Sequence, residues 1–266
     1  MISNLGKTAL ITGVRNDRSI AWAIAQRLAE SGCEVALTYT SENKNEVLGL
    51  MEDHGMDPRL SGEVDIRKEE QIVAMFERLA DRWDKMDFLL HGTAFGNHNV
   101  LCTSPIGSDQ PPSGYLDIAF DDLVDSFDIS AYSLIRLCRA ALPYFSANAS
   151  VVTLSYQAAN KVMASYAGMA ISKAALENMT LYLAHALGER GVRVNAISPG
   201  LVMSTSAAAI PGVRKLRKMG SNSAPLGNIR SSHVADAALW YFSDLSTKVT
   251  GNIHYVDGGL NIVGEL

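Results

Sequence analysis

Tyr166 and Lys173 stand seven residues apart. Two turns of α-helix take 7.2 residues, so a helix through this stretch sets the phenol and the ammonium on one face. A phenol ordinarily ionises near pH 10, and an ammonium beside it lowers that value and stabilises negative charge on a neighbouring oxygen. The chemistry implied is hydrogen-bond or proton donation to an oxyanion, with the lysine free to hold a sugar hydroxyl as well. Alone the pair is a weak pattern, because a half-buried tyrosine and a solvated lysine often share this spacing. Its weight comes from the elements around it.

Those elements alternate. Short apolar runs at residues 8–12, 34–39, 60–64, 88–91, 150–154, 193–197 and 253–256 read as strands. Helical periodicity separates them at 20–31, 43–55, 69–83, 120–144, 166–189 and 232–245. Such alternation predicts βαβ units, hence an α/β fold: a Rossmann-type doubly wound parallel sheet of about seven strands with helices on both faces. No repeat or linker-like break divides the chain. It reads as one domain, with a nucleotide-binding part over about 1–150 and a catalytic, substrate-covering part over about 151–266. The polar stretch 97–114 is longer than an ordinary connection and reads as a functional loop or lid edge. The small-residue segment 199–228 suits a substrate cover.

Composition removes several classes of function. Of 266 residues, 47% are hydrophobic and 19% charged, as in a chain with a substantial core. The net charge of −5, from 23 basic and 28 acidic residues, argues against nucleic-acid binding. No run of 18 apolar residues offers a membrane span, and the first residues lack a signal-peptide pattern, so the cytoplasm is expected. Cys33, Cys102 and Cys138 form no CxxC pair, and the six histidines show no metal-ligand spacing. No metal site is expected, and His91 reads as structural.

The first strand ends at Thr12-Gly13-Val14 and the next helix opens at Ser19-Ile20. A strand-to-helix turn of this kind aims backbone N–H groups and the positive helix end at a pyrophosphate. Gly13 permits the tight turn, and the Ser19 hydroxyl and Ile20 N–H are candidate donors. The three-glycine fingerprint is absent, so an ordinary βα turn is the competing reading. Strand two ends at Thr40-Ser41-Glu42, where an acidic residue would accept a ribose hydroxyl and an arginine would receive a 2′-phosphate. With Glu42 there and Lys44 the nearest cation, NADH is favoured, while Thr40 and Ser41 leave NADPH open.

Three features together carry a resemblance. Thr12-Gly13-Val14 precedes Ser19-Ile20-Ala21; Tyr156 lies ten residues before Tyr166, completing a Tyr-x9-Tyr-x6-Lys array; and His91-Gly92-Thr93-Ala94-Phe95 stands where carbonyl-reducing relatives carry Asn-Asn-Ala-Gly. Over nearly its whole length the chain resembles the short-chain dehydrogenase/reductase family, and within it the bacterial enoyl-acyl-carrier-protein reductases. The resemblance implies hydride transfer from NADH to C3 of a trans-2-enoyl thioester in fatty-acid synthesis, with acyl carrier protein or coenzyme A as carrier. It implies that Tyr166 donates a hydrogen bond to the enolate oxygen, Lys173 anchors the nicotinamide ribose and Tyr156 lines the acyl site. Asp65 and Ile66 then match an adenine-contacting pair, Thr93 and Gly96 the contacts after strand four, with Gly96 beside the substrate. Val202, Ser204 and Ser206 match the loop that reaches the nicotinamide and pyrophosphate. A homotetramer is implied too.

Some positions depart from that pattern. Ser198-Pro199-Gly200 and Ser172 lean toward carbonyl reducers, Thr40 replaces a frequent glutamine and Ala94 a frequent glycine. The alternatives are a short-chain carbonyl or 3-oxoacyl thioester reductase, and a non-catalytic nicotinamide-binding sensor. Carbonyl reducers usually need a serine about 13 residues before the tyrosine; Thr153 occupies that position.

Overall fold

The computed structural model describes residues 2–101, 115–163 and 165–264. Among them the chain runs β1 (Thr8–Ile11), α1 (Ile20–Glu30), β2 (Glu34–Tyr39), α2 (Lys44–Asp53), β3 (Gly62–Glu63), α3 (Glu69–Ala80), β4 (Met86–His91) and α4 (Phe120–Phe127). It continues through a π-helical turn (Asp128–Tyr132), α5 (Ser133–Ala141), β5 (Phe145–Leu154), α6 (Ala167–Gly188), β6 (Arg193–Pro199), α7 (Thr205–Ala208), α8 (Val213–Ser223), α9 (Ser231–Tyr241) and β7 (Ile253–Val256). The seven strands form one sheet in the order β3-β2-β1-β4-β5-β6-β7, with every pairing parallel.

Parallel strands need cover on both faces, and side chains that alternate in direction supply two cores. Ala9, Ile11, Phe88 and Leu90 point into one, closed by α1, α2 and α9. Leu10, Leu89, Val151 and Val194 point into the other, closed by α3, α5 and α6. The strand order reverses between β1 and β4, and the crevice at the carboxyl ends there is where this architecture receives ligands. The residues of the candidate site described below lie along that edge or cover it.

Two helix expectations need correction. Residues 120–144 do not form one regular helix: a π-turn interrupts it, and α5 ends at Ala141. Within that turn Ser130 accepts a hydrogen bond from the Phe95 N–H (2.9 Å) and donates one to the Phe95 carbonyl (3.0 Å). α6 begins at Ala167, so Tyr166 is its N-cap, with φ −139° and ψ 16°, and not its first helical residue. The phenol is therefore aimed by a loop backbone. Of the loop expected at 97–114, residues 102–114 lie outside the described residues.

Candidate active site

Three consecutive residues at the end of β5 each grip one residue of α6 or its cap. The Leu154 carbonyl accepts a hydrogen bond from Lys173 Nζ at 2.8 Å. Ser155 Oγ donates to Glu177 Oε1 at 2.6 Å. The Tyr156 ring meets the Tyr166 ring edge-on, centroids 5.0 Å apart at 62°. The end of β5 thereby contacts both Lys173 and Tyr166, although Tyr166 comes there from the helix cap and not from the helix face that the spacing predicted.

Their electrostatics correct one expectation. Burial, with a smaller push from Tyr156, raises the Tyr166 phenol above its ordinary range, and burial raises Tyr156 likewise. Desolvation therefore decides the direction of the Tyr166 shift, and the Lys173 ammonium is bonded to the Leu154 carbonyl. Only 4% exposed, Lys173 is itself pushed down to about 8 by burial, with the Glu177 carboxylate pulling the other way. Both phenols are consequently neutral donors at physiological pH.

The fully buried Thr153 side chain is committed elsewhere, 2.7 Å from His91 Nδ1. His91 Nε2 lies 2.7 Å from Ser133 Oγ, and burial first, then Lys173, holds its imidazole down at about 3. His91 is thus a satisfied, neutral core histidine. Ser172, which leaned toward the carbonyl reducers, lies 3.0 Å from Ser126 Oγ and serves packing between α4 and α6.

At the nucleotide end Gly13 takes φ +87°, and a Cβ there would lie 2.2 Å from the Gly92 carbonyl oxygen. Only two glycines let β1 and β4 close this tightly. Ser19 is the N-cap of α1 but makes no side-chain cap; its hydroxyl instead accepts from the Arg15 N–H (3.1 Å) and the Asn16 N–H (3.2 Å). The first N–H groups of α1 are therefore left without a side-chain acceptor, an arrangement that suits a pyrophosphate. Thr93 Oγ1 lies 3.2 Å from Thr12 Oγ1. Thr40, at the exposed end of β2, accepts from Asn43 Nδ2 at 2.8 Å.

Other expected contacts are placed differently. The Asp65 carboxylate is bound by Arg67 at 2.8 Å, which holds it below the usual carboxylate range. The Ile66 side chain packs in the core. Gly96 lies against α6, where a Cβ would come 2.8 Å from Met169. Ser204 caps α7 by accepting from the Ala207 N–H at 3.1 Å, so its hydroxyl is already engaged, and Ser206 is exposed. Val202 packs partly buried against the core. The residue between them, Thr205, accepts from Asn16 Nδ2 at 2.7 Å and links the first loop of the cleft to the last. Sequence reasoning passed over that pair, Gly92 and the Ser155–Glu177 bond. Gly92 could have been suspected from a glycine directly after a buried strand; the two polar pairs leave no local signal.

Beyond Tyr156 a narrow pocket runs between Met163, Leu201, Leu216, Met219 and Leu260, with α8 across it. A wider, open hollow beside Ala184 and Gly251 lies about 27 Å along α6 from Tyr166, at 1.5 Å per residue, too far to share its chemistry.

The model of the enoyl-(acyl carrier protein) reductase family matches residues 13–261. The chain belongs to that family. It is 40% identical over 262 residues, 98% of this chain and 96% of the relative, to the NADH enoyl-[acyl-carrier-protein] reductase FabI of Rickettsia typhi. With the corresponding Synechocystis protein it is 35% identical, covering 99% of this chain and 100% of that one. Among solved structures, the Aquifex aeolicus NADH enoyl-[acyl-carrier-protein] reductase superposes with TM-score 0.91 at 34% identity, over 98% of this chain and 99% of that one. The Bacillus cereus enoyl-acyl carrier protein reductase, solved with NADP+ and an indole naphthyridinone, gives 0.92 at 32% over 99% and 100%. The reductase thus shares its sheet and cleft with these proteins over essentially its whole length.

Proposed function

We propose that this chain reduces the C2=C3 double bond of a trans-2-enoyl thioester carried on acyl carrier protein, with NADH as hydride donor, in fatty-acid synthesis. One observation carries the choice of substrate: two neutral tyrosines face each other at 5.0 Å while Thr153, where a carbonyl reducer needs its second hydroxyl, is tied to His91.

The nicotinamide, when bound, supplies the hydride that arrives at C3. Charge then grows on the thioester oxygen as an enolate, and Tyr166 donates a hydrogen bond to it that strengthens as the charge develops. A phenol raised by burial stays protonated and is suited to this task. Lys173, with ammonium N–H groups beyond the one directed at Leu154, holds the ribose hydroxyls. Tyr156 packs against Tyr166 and lines the acyl pocket. Gly13, Ser19 and Ile20 take the pyrophosphate at the α1 N-terminus, Thr93, Val202, Ser204 and Ser206 border the nicotinamide half, and Thr40, Asp65 and Ile66 border the adenosine. Gly96 shapes the substrate side by letting its loop approach α6. NADH is preferred over NADPH because Arg67 is paired with Asp65 and the end of β2 offers Glu42, with Lys44 the nearest cation in sequence.

Support for a carrier protein over coenzyme A comes from α8, which crosses the pocket with Arg214, Lys215, Arg217 and Lys218 all exposed and no acidic residue. An anionic carrier and its phosphate are drawn to such a helix. We also propose a cytoplasmic homotetramer. α4 and α6 lie side by side and expose Phe120, Val124, Ile171, Leu181 and Tyr182, an apolar face suited to a second copy. No helix among the described residues is long and apolar enough to cross a membrane.

The test is NADH and NADPH oxidation at 340 nm with crotonyl and acetoacetyl thioesters of carrier protein and of coenzyme A. Turnover of crotonyl thioesters is expected, fastest with the carrier protein and NADH. Turnover of acetoacetyl thioesters alone would transfer the chain to the carbonyl reducers, and tight NADH binding without any turnover would make it a sensor.

A further inference from the structure

We propose that Glu177, clamped by Ser155 beside the carbonyl that binds Lys173, is a positioning residue whose carboxylate keeps the buried Lys173 ammonium charged for cofactor binding. This rests on Lys173 holding the cofactor ribose, as argued above.

The geometry is specific. Glu177 is four residues beyond Lys173 on α6, so the two side chains share a helix face. On the opposing strand, Leu154 and Ser155 are neighbours, one accepting from Lys173 at 2.8 Å and the other donating to Glu177 at 2.6 Å. Ser155 is itself 4% exposed, and its N–H donates to the Ile197 carbonyl at 2.8 Å, so the clamp is anchored in β6 as well. The carboxylate is thus held to the strand end that also holds the ammonium.

The charges around Lys173 leave Glu177 without a substitute among the described residues. From β4 the nearest titratable group is His91, neutral because burial holds it at about 3. From the β5 end and the helix cap come Tyr156 and Tyr166, both neutral phenols. From α4 comes Ser126, bonded to Ser172. Among the described residues Glu177 and Lys173 form no ion pair within 4.0 Å. The carboxylate, bonded to Ser155 next along the chain from Leu154, therefore acts through space against the burial that drives the ammonium toward the uncharged amine.

The experiment measures the NADH dissociation constant from pH 6 to 10 by fluorescence, using the intact protein. In the wild type, affinity falls as Lys173 loses its proton. Glu177→Gln keeps a hydrogen-bond partner for Ser155 and removes the charge. It should move the alkaline fall about one pH unit lower, weakening binding up to tenfold in the window between. Glu177→Asp should restore part of that shift, and Ser155→Ala should produce a smaller one than Glu177→Gln. An unmoved alkaline limb in Glu177→Gln, or equal shifts in Glu177→Gln and Glu177→Asp, would overturn the proposal. Lys173→Ala separates the two layers. If it leaves NADH affinity intact, the ribose-anchor reading fails first; if it abolishes affinity while Glu177→Gln changes nothing, only the role of Glu177 falls.

Discussion

Replacing Gly13 by alanine is the sharpest test of how the cleft is built. At φ +87° an L-residue carries about 1–2 kcal/mol of strain. The added Cβ would also stand 2.2 Å from the Gly92 carbonyl oxygen and 2.8 Å from the Thr93 nitrogen, both main-chain atoms just past β4. Ordinary contact requires a separation more than an ångström larger. Moving that far strains the hydrogen bonds that join the strands here, Thr12 N–H to the Leu90 carbonyl at 3.0 Å and Gly92 N–H to Thr12 Oγ1 at 3.2 Å. At about 1 kcal/mol for each bond, the whole comes to roughly 3–4 kcal/mol. Thermal unfolding should then occur about 6–16 °C lower, and NADH affinity should fall because the phosphate loop is displaced. Gly49→Ala is the matched control. It lies inside α2 with nothing within 4 Å of the new Cβ and should stabilise by about 0.5–1 kcal/mol. A Gly13→Ala protein that melts within 2 °C of wild type and binds NADH normally would refute the close-approach argument.

Tyr166→Phe should lower kcat about a hundredfold while leaving NADH affinity nearly unchanged, whereas Lys173→Ala should damage both; steady-state kinetics beside a binding titration separates them. His91 gives a pH signature. Its folded value near 3 lies below the ordinary 6.5, so between those values the unfolded chain binds a proton that the native state refuses. Stability is therefore lost as pH falls from 6.5, by at most about 1.4 kcal/mol per unit, and His91→Gln should flatten that slope in urea titrations between pH 6.5 and 5. Identical slopes would assign the acid sensitivity to other groups. Phe120→Lys, on the exposed apolar face, should lower the mass in light scattering if that face joins copies as proposed; a wild-type monomer would refute the proposed homotetramer, and an unchanged oligomer mass would move the interface elsewhere.

Much of this architecture could be read from residue order, and the exceptions have physical causes. β2 and β7 fall where expected because apolar runs bounded by turn residues set their ends. The reading of 120–144 as one helix held from Phe120 to Ala141 and missed only the π-turn inside it. The reason for it, Ser130 gripping the backbone of Phe95, is a contact across 35 positions. The Tyr/Tyr/Lys cluster was legible because its spacing is local to a strand end and one helix. Its ionisation was not, since the direction of the Tyr166 shift is decided by desolvation, which depends on everything packed around it. Ser204 illustrates the same limit: its place after β6 was evident, its engagement as a cap was not.

The cleft joins opposite ends of the polypeptide. Asn16 reaches Thr205 across 189 positions, and α1 is covered by α9, with Arg27 and Asp236 paired at 2.7 Å. At about 5–20 residues per second, a ribosome takes roughly 10–40 s to travel from one partner to the other. Throughout that interval the side of α1 that α9 comes to cover stays open, and the phosphate loop lacks its far wall. The emerging chain is thus a natural client for chaperones, and nucleotide cannot rescue it early.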